Sequence, residues 1–245
     1  MSYTNKGLVE YAKKCLELGD NSVYVYGSYG NKLTTSFCDS KYKQYPKVNT
    51  AARTTKYKKL CDGKHYGFDC VGLIKSYYWG GYGKTKYDSK SDVSANGMYN
   101  KAKVKGNISN MPEKEGLLVQ MDGHIGIYIG NGYVIESTIS TKYAKQSHGL
   151  GGVCKTKLKD RKWVHWLECP YIDYTTKVEE KPKEEPKTTT TTKYYKKYTG
   201  KSNSIVDALK SIKVDSSFSY RKKIAKANNV KDSSLIYKGQ KLLIP

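Results

Sequence analysis

Periodic hydrophobic segments alternate with long polar stretches along this chain. Over residues 7–18 the apolar positions share one helical face, and Gly19 then stops the helix. Similar patterns predict, in chain order, a strand at 23–26, helices at about 70–79 and 91–103, and strands at about 116–121, 124–129, 133–138 and 163–168. Helices first and a run of strands afterwards are typical of an α+β fold with an antiparallel sheet.

Two polar stretches divide the chain. Residues 28–66 are rich in Gly, Lys, Ser and Thr, which predicts a long irregular insertion. Residues 175–197 combine Lys, Glu, Pro and Thr, cannot supply a core, and are predicted to form a linker. The linker separates a domain at 1–174 from a small domain at 198–245, where two helical patterns flanked by short strands predict a βααβ unit.

The turn at Gly130-Asn131-Gly132 fixes which residues share a face of the strand pair around it. A two-residue Asn-Gly turn would place Glu136 opposite Ile127, among isoleucines. A three-residue loop instead pairs Ile127 with Ile135 and gives a continuous apolar face. We therefore predict the three-residue loop, which also sets Glu136 on the same face as His124, one diagonal step away.

Charge narrows the classes of partner. The 245 residues include 44 basic and 22 acidic ones, for a net charge of +22. Such a surface favours anionic polymers. Only Arg53, Arg161 and Arg221 are arginine, and reading base edges depends on the arginine fork, so specific nucleic-acid recognition is disfavoured. No run of eighteen apolar residues or signal-peptide core is present, so we expect no membrane span and no export by that route.

The six cysteines show neither zinc-ligand spacing nor a paired-histidine motif, so no metal or cofactor is expected. The thiols are expected to be reduced, although a Cys38–Cys61 disulfide stays open for an oxidising setting.

Cys70 stands at the start of an apolar helix, where exposed N–H groups favour a thiolate. His124 would serve as its base and Glu136 would orient the imidazole, as a carboxylate does in catalytic triads. The competing interpretations are a buried structural cysteine, a strand-capping histidine and a solvated glutamate.

Three segments resemble the NlpC/P60 cysteine peptidases, which are papain-like peptidoglycan hydrolases. They are Val23-Tyr24-Val25-Tyr26-Gly27, Gly67-Phe68-Asp69-Cys70-Val71-Gly72-Leu73 and Gly123-His124-Ile125-Gly126-Ile127-Tyr128-Ile129-Gly130. The resemblance covers most of residues 5–170 and implies N-terminal helices packed on an antiparallel sheet. It also implies that Tyr24 helps to hold the oxyanion, and that Glu136 is the third polar residue of the site.

The resemblance implies cleavage of an amide bond in the peptide stem through a thioester on Cys70, most commonly at D-glutamate. In the family, Asp69 and the residue after the cysteine bind a free amine of the substrate. That residue is usually serine and is Val71 here, so intact wall becomes an alternative substrate. Glu136 also fits the related CHAP amidases, which leaves N-acetylmuramoyl-L-alanine amidase activity open. A non-catalytic wall-binding protein and a thiol acyltransferase are further alternatives.

The tail resembles a LysM module, a peptidoglycan-binding fold, most closely in its C-terminal half. The residues expected to contact the glycan are Ser202, Asn203, Ser204 and Asn229. Together with the absence of a signal peptide, this organisation resembles a bacteriophage endolysin. We therefore expect a protein kept in the host cytoplasm until it reaches the cell wall. Its expected partners are peptidoglycan and anionic wall polymers, and the tail could also anchor by charge alone.

Overall fold

The computed structural model describes residues 3–174, 209–210, 217, 220–221 and 224. The chain divides into two compact units, Met1–Glu179 and Glu180–Pro245. Every element discussed below belongs to the first unit. The predicted linker and the predicted βααβ pattern lie outside the described residues, apart from the few tail positions just given.

The first unit contains five α-helices and nine strands within residues 3–174. The helices are α1 (Asn5–Glu17), α2 (Thr35–Gln44), α3 (Ala51–Lys58), α4 (Cys70–Tyr78) and α5 (Ala95–Lys101). The strands are β1 (Ser22–Tyr24), β2 (Tyr29–Lys32), β3 (Tyr66–Phe68), β4 (Lys105–Asn107), β5 (Leu118–Met121), β6 (His124–Tyr128), β7 (Tyr133–Thr138), β8 (Gly152–Lys157) and β9 (His165–Leu167).

The predicted α+β class agrees with this architecture. Six strands form the main sheet in the order β4-β9-β5-β6-β7-β8, and every neighbouring pair in it is antiparallel. A smaller sheet has the order β1-β3-β2, in which β1 and β3 run parallel. Helices α1 and α4 pack on the main sheet, and their apolar faces share one core with it. The largest fully buried side chains of that core include Leu8, Leu73, Ile74, Ile125 and Ile127.

The predicted strand register is confirmed. Ile127 pairs with Ile135, and the Ile129 N–H donates to the Tyr133 carbonyl at 2.9 Å, which closes a three-residue loop. Asn131 has φ of 52°, a left-handed conformation that asparagine tolerates better than most residues. The two flanking glycines also have positive φ, so the sequence of the loop matches its backbone.

The prediction of an irregular insertion at 28–66 is wrong. This segment holds β2, α2 and α3 and ends at the first residue of β3. Its Cys38 and Tyr57 are fully buried in a small core that also includes Val23, Val25 and Leu150. Both helices begin at threonine caps, because Thr34 accepts from the Phe37 N–H and Thr50 from the Arg53 N–H. So few apolar residues are buried here that the sequence shows no clear period.

Strands β4 and β8 were also missed by the sequence pattern. Strand β8 alternates apolar and small polar residues with lysine, and it pairs along its whole length with β7. Its burial depends on that partner, so the local sequence carries only a weak strand signal.

All six cysteines are free in this structure. Cys38 Sγ and Cys61 Sγ nevertheless lie 3.9 Å apart, in the segment that contains α2 and α3. Among the helices that the structure describes, none is long and apolar enough to cross a membrane.

Candidate active site

Cys70 is the first residue of α4, and its neighbour Asp69 builds the turn that presents it. Asp69 caps the helix by accepting from the Gly72 N–H at 2.6 Å, and its second oxygen accepts from the Gly27 N–H at 2.8 Å. The buried carboxylate therefore ties the β1–β2 turn to the start of α4. Burial raises the pKa of Asp69, against the lowering effects of the Lys75 charge and these two hydrogen bonds.

The Cys70 thiol lies against the start of β6. Its Sγ is 3.9 Å from the Gly123 carbonyl oxygen, and the Ile125 N–H also interacts with it. These groups flank His124 in the chain, so the fold brings the thiol to the backbone on both sides of the histidine. Burial and the charge of Asp69 raise the pKa of Cys70 to about 12, despite the opposing nearby N–H groups. A thiolate at neutral pH therefore requires a base.

His124 is held by Glu136 across the strand pair. Its Nε2 lies 2.5 Å from Oε2 of Glu136, whose side chain is fully buried. In the tautomer with its proton on Nε2, this nitrogen donates to the carboxylate and Nδ1 is left as an acceptor. The Trp163 ring stacks on the imidazole with centroids 5.5 Å apart and planes 11° apart, which fixes the ring plane.

Glu136 has two further partners that the sequence did not indicate. Its Oε1 accepts from Thr156 Oγ1 at 2.7 Å, and its Oε2 lies 2.9 Å from a guanidinium nitrogen of Arg161. Burial raises the pKa of Glu136, but the hydrogen bonds from His124 and Thr156 and the charges of His124 and Arg161 outweigh it. The net result is a lowered pKa, which keeps the carboxylate charged.

Thr156, Arg161 and Trp163 are residues of the site that sequence reasoning missed. The Arg161 guanidinium lies 4.3 Å above the Tyr143 ring and its side chain is only 11% exposed. A rare arginine in a lysine-rich chain is the one signal that could have pointed to it, because arginine suits buried ion pairs better than lysine does.

Gly126 leaves the space in which this cluster forms. A Cβ atom there would lie 2.6 Å from Val134 Cγ1, 3.2 Å from the Trp163 ring and 3.3 Å from Glu136 Cβ. The absence of a side chain at this position allows the tryptophan and the glutamate to approach the strand.

Tyr24 is the last residue of β1 and interacts electrostatically with Cys70. Strand β1 pairs Tyr24 with Phe68, two residues before Cys70, and the tyrosine is largely buried. Burial and then the charges of Cys70 and Asp69 raise the pKa of Tyr24, which keeps its hydroxyl protonated. The small sheet thus brings the Tyr24 hydroxyl close enough to Cys70 for the charges of the two groups to interact.

A cavity of about 480 Å³ lies beside Cys70. Asp69 and Val71, the two sequence neighbours of Cys70, line it together with Gly27 from the β1–β2 turn. Residues of α2 form part of its wall, so the segment expected to be irregular shapes the cleft. Within the described part of the chain, no three His, Cys, Asp or Glu side chains gather as metal ligands would.

The structure therefore brings together Tyr24, Asp69, Cys70, His124 and Glu136. The predicted glycan contacts Ser202, Asn203, Ser204 and Asn229 lie outside the described residues.

Comparison with known proteins identifies the family of the first unit. Residues 19–161, more than half of the chain, match the NlpC/P60 family. The chain belongs to this family, whose members are generally cysteine peptidases that act on peptidoglycan. No curated protein and no solved structure matches the chain.

Proposed function

We propose that this protein is a peptidoglycan hydrolase in which Cys70, His124 and Glu136 form a catalytic triad. The observation that carries the proposal is the 2.5 Å pair of His124 and buried Glu136, with the Cys70 thiol against the backbone on both sides of the histidine. A buried carboxylate that fixes the imidazole tautomer leaves the other ring nitrogen to accept the thiol proton.

The proposed reaction has two steps. His124 takes the proton of Cys70 as the sulfur attacks the amide carbon, and it returns that proton to the leaving amine. This step forms a thioester and breaks the C–N bond. Water then attacks the thioester while His124 accepts a proton from it, and the thiol leaves with that proton. Glu136 stays ionised throughout and stabilises the imidazolium.

The oxyanion would be held at the start of α4. The Cys70 N–H is one of the first groups of the helix, without an acceptor inside it, and is suited to a developing negative charge. The protonated Tyr24 hydroxyl is the second proposed donor.

For the bond cleaved, we propose the one after D-glutamate in the peptide stem, and the amidase reaction is the alternative. Asp69 is a proposed substrate contact, although each of its oxygens already accepts from a backbone N–H. Val71 lines the cleft without the hydroxyl that would help to hold an amine. This difference favours a substrate that need not present a free amine.

For the whole chain we propose an endolysin-like enzyme with a LysM-like wall-binding tail. The predicted boundaries at 174 and 198 and the net charge of +22 support attachment to a negatively charged wall. Storage in the host cytoplasm until the membrane opens is part of the same proposal.

The decisive test is lysis of purified cell walls, followed as loss of turbidity, with mass spectrometry of the released fragments. We expect the parent to clear walls and Cys70→Ala to be inactive. The matched control Cys61→Ala removes another free cysteine and should keep the parent rate. If Cys70→Ala clears walls as fast as the parent, the mechanism is wrong.

The fragments separate the alternatives. A new N-terminus within the stem identifies the endopeptidase, and a lactyl group free of peptide identifies the amidase. Fragments joined to an added amine would identify an acyltransferase. Binding without any fragment would identify a non-catalytic wall-binding protein.

A further inference from the structure

One wall of the cleft beside the nucleophile carries a lysine without an acidic partner. Lys41 lies on α2 and lines the same cavity as Asp69 and Val71. Its Nζ donates to Oε1 of Gln44 at 3.0 Å. Within the described residues 3–174, no carboxylate lies within ion-pairing distance of Lys41. Asp69 and Asp92 are near enough to stabilise the charge of this ammonium, but neither forms an ion pair with it.

Aromatic rings hold this ammonium in place. Its Nζ lies 5.6 Å from the ring centroid of Phe37, 5.8 Å from that of Tyr45 and 6.0 Å from that of Tyr29. Ring faces favour a cation at these distances but accept no hydrogen bonds as strong as those of a carboxylate. Burial lowers the pKa of Lys41, so the group has already lost part of its water. A partly dehydrated cation favours an incoming anion.

The acidic groups of the same cavity already have partners. Asp92 accepts from Lys75 Nζ at 2.5 Å and from the Tyr87 hydroxyl at 3.0 Å. Asp69 accepts from two backbone N–H groups, as described above. Both acids of the cleft therefore have close donors of their own, whereas the only hydrogen-bond acceptor found for Lys41 Nζ among the described residues is the neutral amide of Gln44.

We propose that Lys41 binds a free carboxylate on the acyl-donor side of the substrate peptide, so that the enzyme prefers acidic stem peptides to amidated ones. This inference rests on the proposed hydrolase function, since it names the group that the cleft recognises. An acyl donor attached to Cys70 passes the residues on both sides of that cysteine, and these line the cavity that Lys41 faces. The ammonium would form a charge-assisted hydrogen bond that a carboxamide cannot match.

Binding can be measured separately from catalysis in the inactive full-length Cys70→Ala protein. The probes are a stem peptide with a free carboxylate on the acyl-donor residue and the same peptide with a carboxamide there. We expect the acid to bind about tenfold more tightly. Lys41→Gln in this background should remove the preference, and Lys41→Arg should keep most of it. The matched control Lys43→Gln alters an exposed lysine of the same helix and should change nothing.

The outcomes separate this inference from the proposed function. A Lys41-dependent preference in the Cys70→Ala protein supports the subsite even if the parent cleaves neither peptide, in which case the hydrolase proposal fails. The Lys41 subsite is overturned if the acid and the amide bind with equal affinity. It is also overturned if the preference for the acid survives Lys41→Gln while the circular dichroism of the variant is unchanged. Polyglycerol phosphate serves as a second anion. If it alone shows Lys41-dependent binding, the subsite takes a wall phosphate and the proposal is wrong.

Discussion

The buried pair of Glu136 and Arg161 gives the sharpest prediction, because one substitution should affect stability and activity by separable routes. Glu136→Gln keeps the size of the side chain and removes its charge. The Arg161 guanidinium is 11% exposed and lies 2.9 Å from the lost charge, and among the described residues no other carboxylate forms an ion pair with it. Removing one partner of a buried pair costs about 3–5 kcal/mol. Since glutamine can still bond to Thr156, we expect a loss of about 3 kcal/mol, at the lower end of that range.

Tryptophan fluorescence can measure this loss in urea and on heating. All three tryptophans, Trp79, Trp163 and Trp166, lie in the first unit, Met1–Glu179. Their fluorescence therefore reports on the unfolding of that unit within the full chain. A loss of about 3 kcal/mol corresponds to a fall in Tm of about 6–12 °C for a domain of this size. The matched control is Glu168→Gln. Its pair with Lys114 is 37% and 22% exposed, and its removal should cost less than about 1 kcal/mol.

The double variant Glu136→Gln/Arg161→Gln distinguishes the two roles of the glutamate. It removes the unpaired guanidinium, so it should recover part of the lost stability. It should not recover wall hydrolysis, because His124 still lacks the carboxylate that fixes its tautomer; the expected loss in rate is about 10²–10⁴-fold. A Glu136→Gln protein as stable as the parent would refute the electrostatic reasoning. Recovery of activity in the double variant would refute the role of Glu136 in orienting the histidine.

Glu136, Asp69 and the Cys38–Cys61 pair give three further predictions. The pKa of Glu136 is lowered on folding. Its ionised form therefore stabilises the fold fully above the unfolded pKa near 4.5, and this stabilisation is lost as the pH falls through the folded pKa. Measuring the free energy of unfolding against pH should show the loss, and Glu136→Gln must lack it. Asp69→Ala removes the cap of α4 and the hydrogen bond to Gly27, and should lower the free energy of unfolding in urea by about 1–2 kcal/mol. Asp69→Asn should lower it less, and equal effects of the two substitutions would contradict a capping role. Treatment with oxidised glutathione should form a disulfide between Cys38 and Cys61, while two electrons and two protons pass to the glutathione to give two thiols. The disulfide should stabilise the domain by about 3 kcal/mol. A similar gain in Cys38→Ser would exclude this disulfide.

The periodic pattern of apolar and polar residues in the sequence determined much of the fold and the central residues of the site. Alternation along β6 and β7 and the three-residue loop set the register, and that register places Glu136 beside His124. Because side chains alternate with a period of two residues, a pattern chosen for burial also decides which polar residues share a face. The apolar run after Cys70 similarly predicted a helix that begins at this cysteine.

The tertiary structure alone decided the surroundings of these residues. Thr156 and Arg161 reach Glu136 because β8 pairs with β7, and Trp163 stacks on the histidine from the segment that follows. Lys41 of α2 and the residues at the start of α4 line one cavity, although the sequence segment of α2 shows no apolar period. Such contacts depend on strand order and helix packing between distant parts of the chain. A local pattern records only how each segment repeats, so it cannot reveal them.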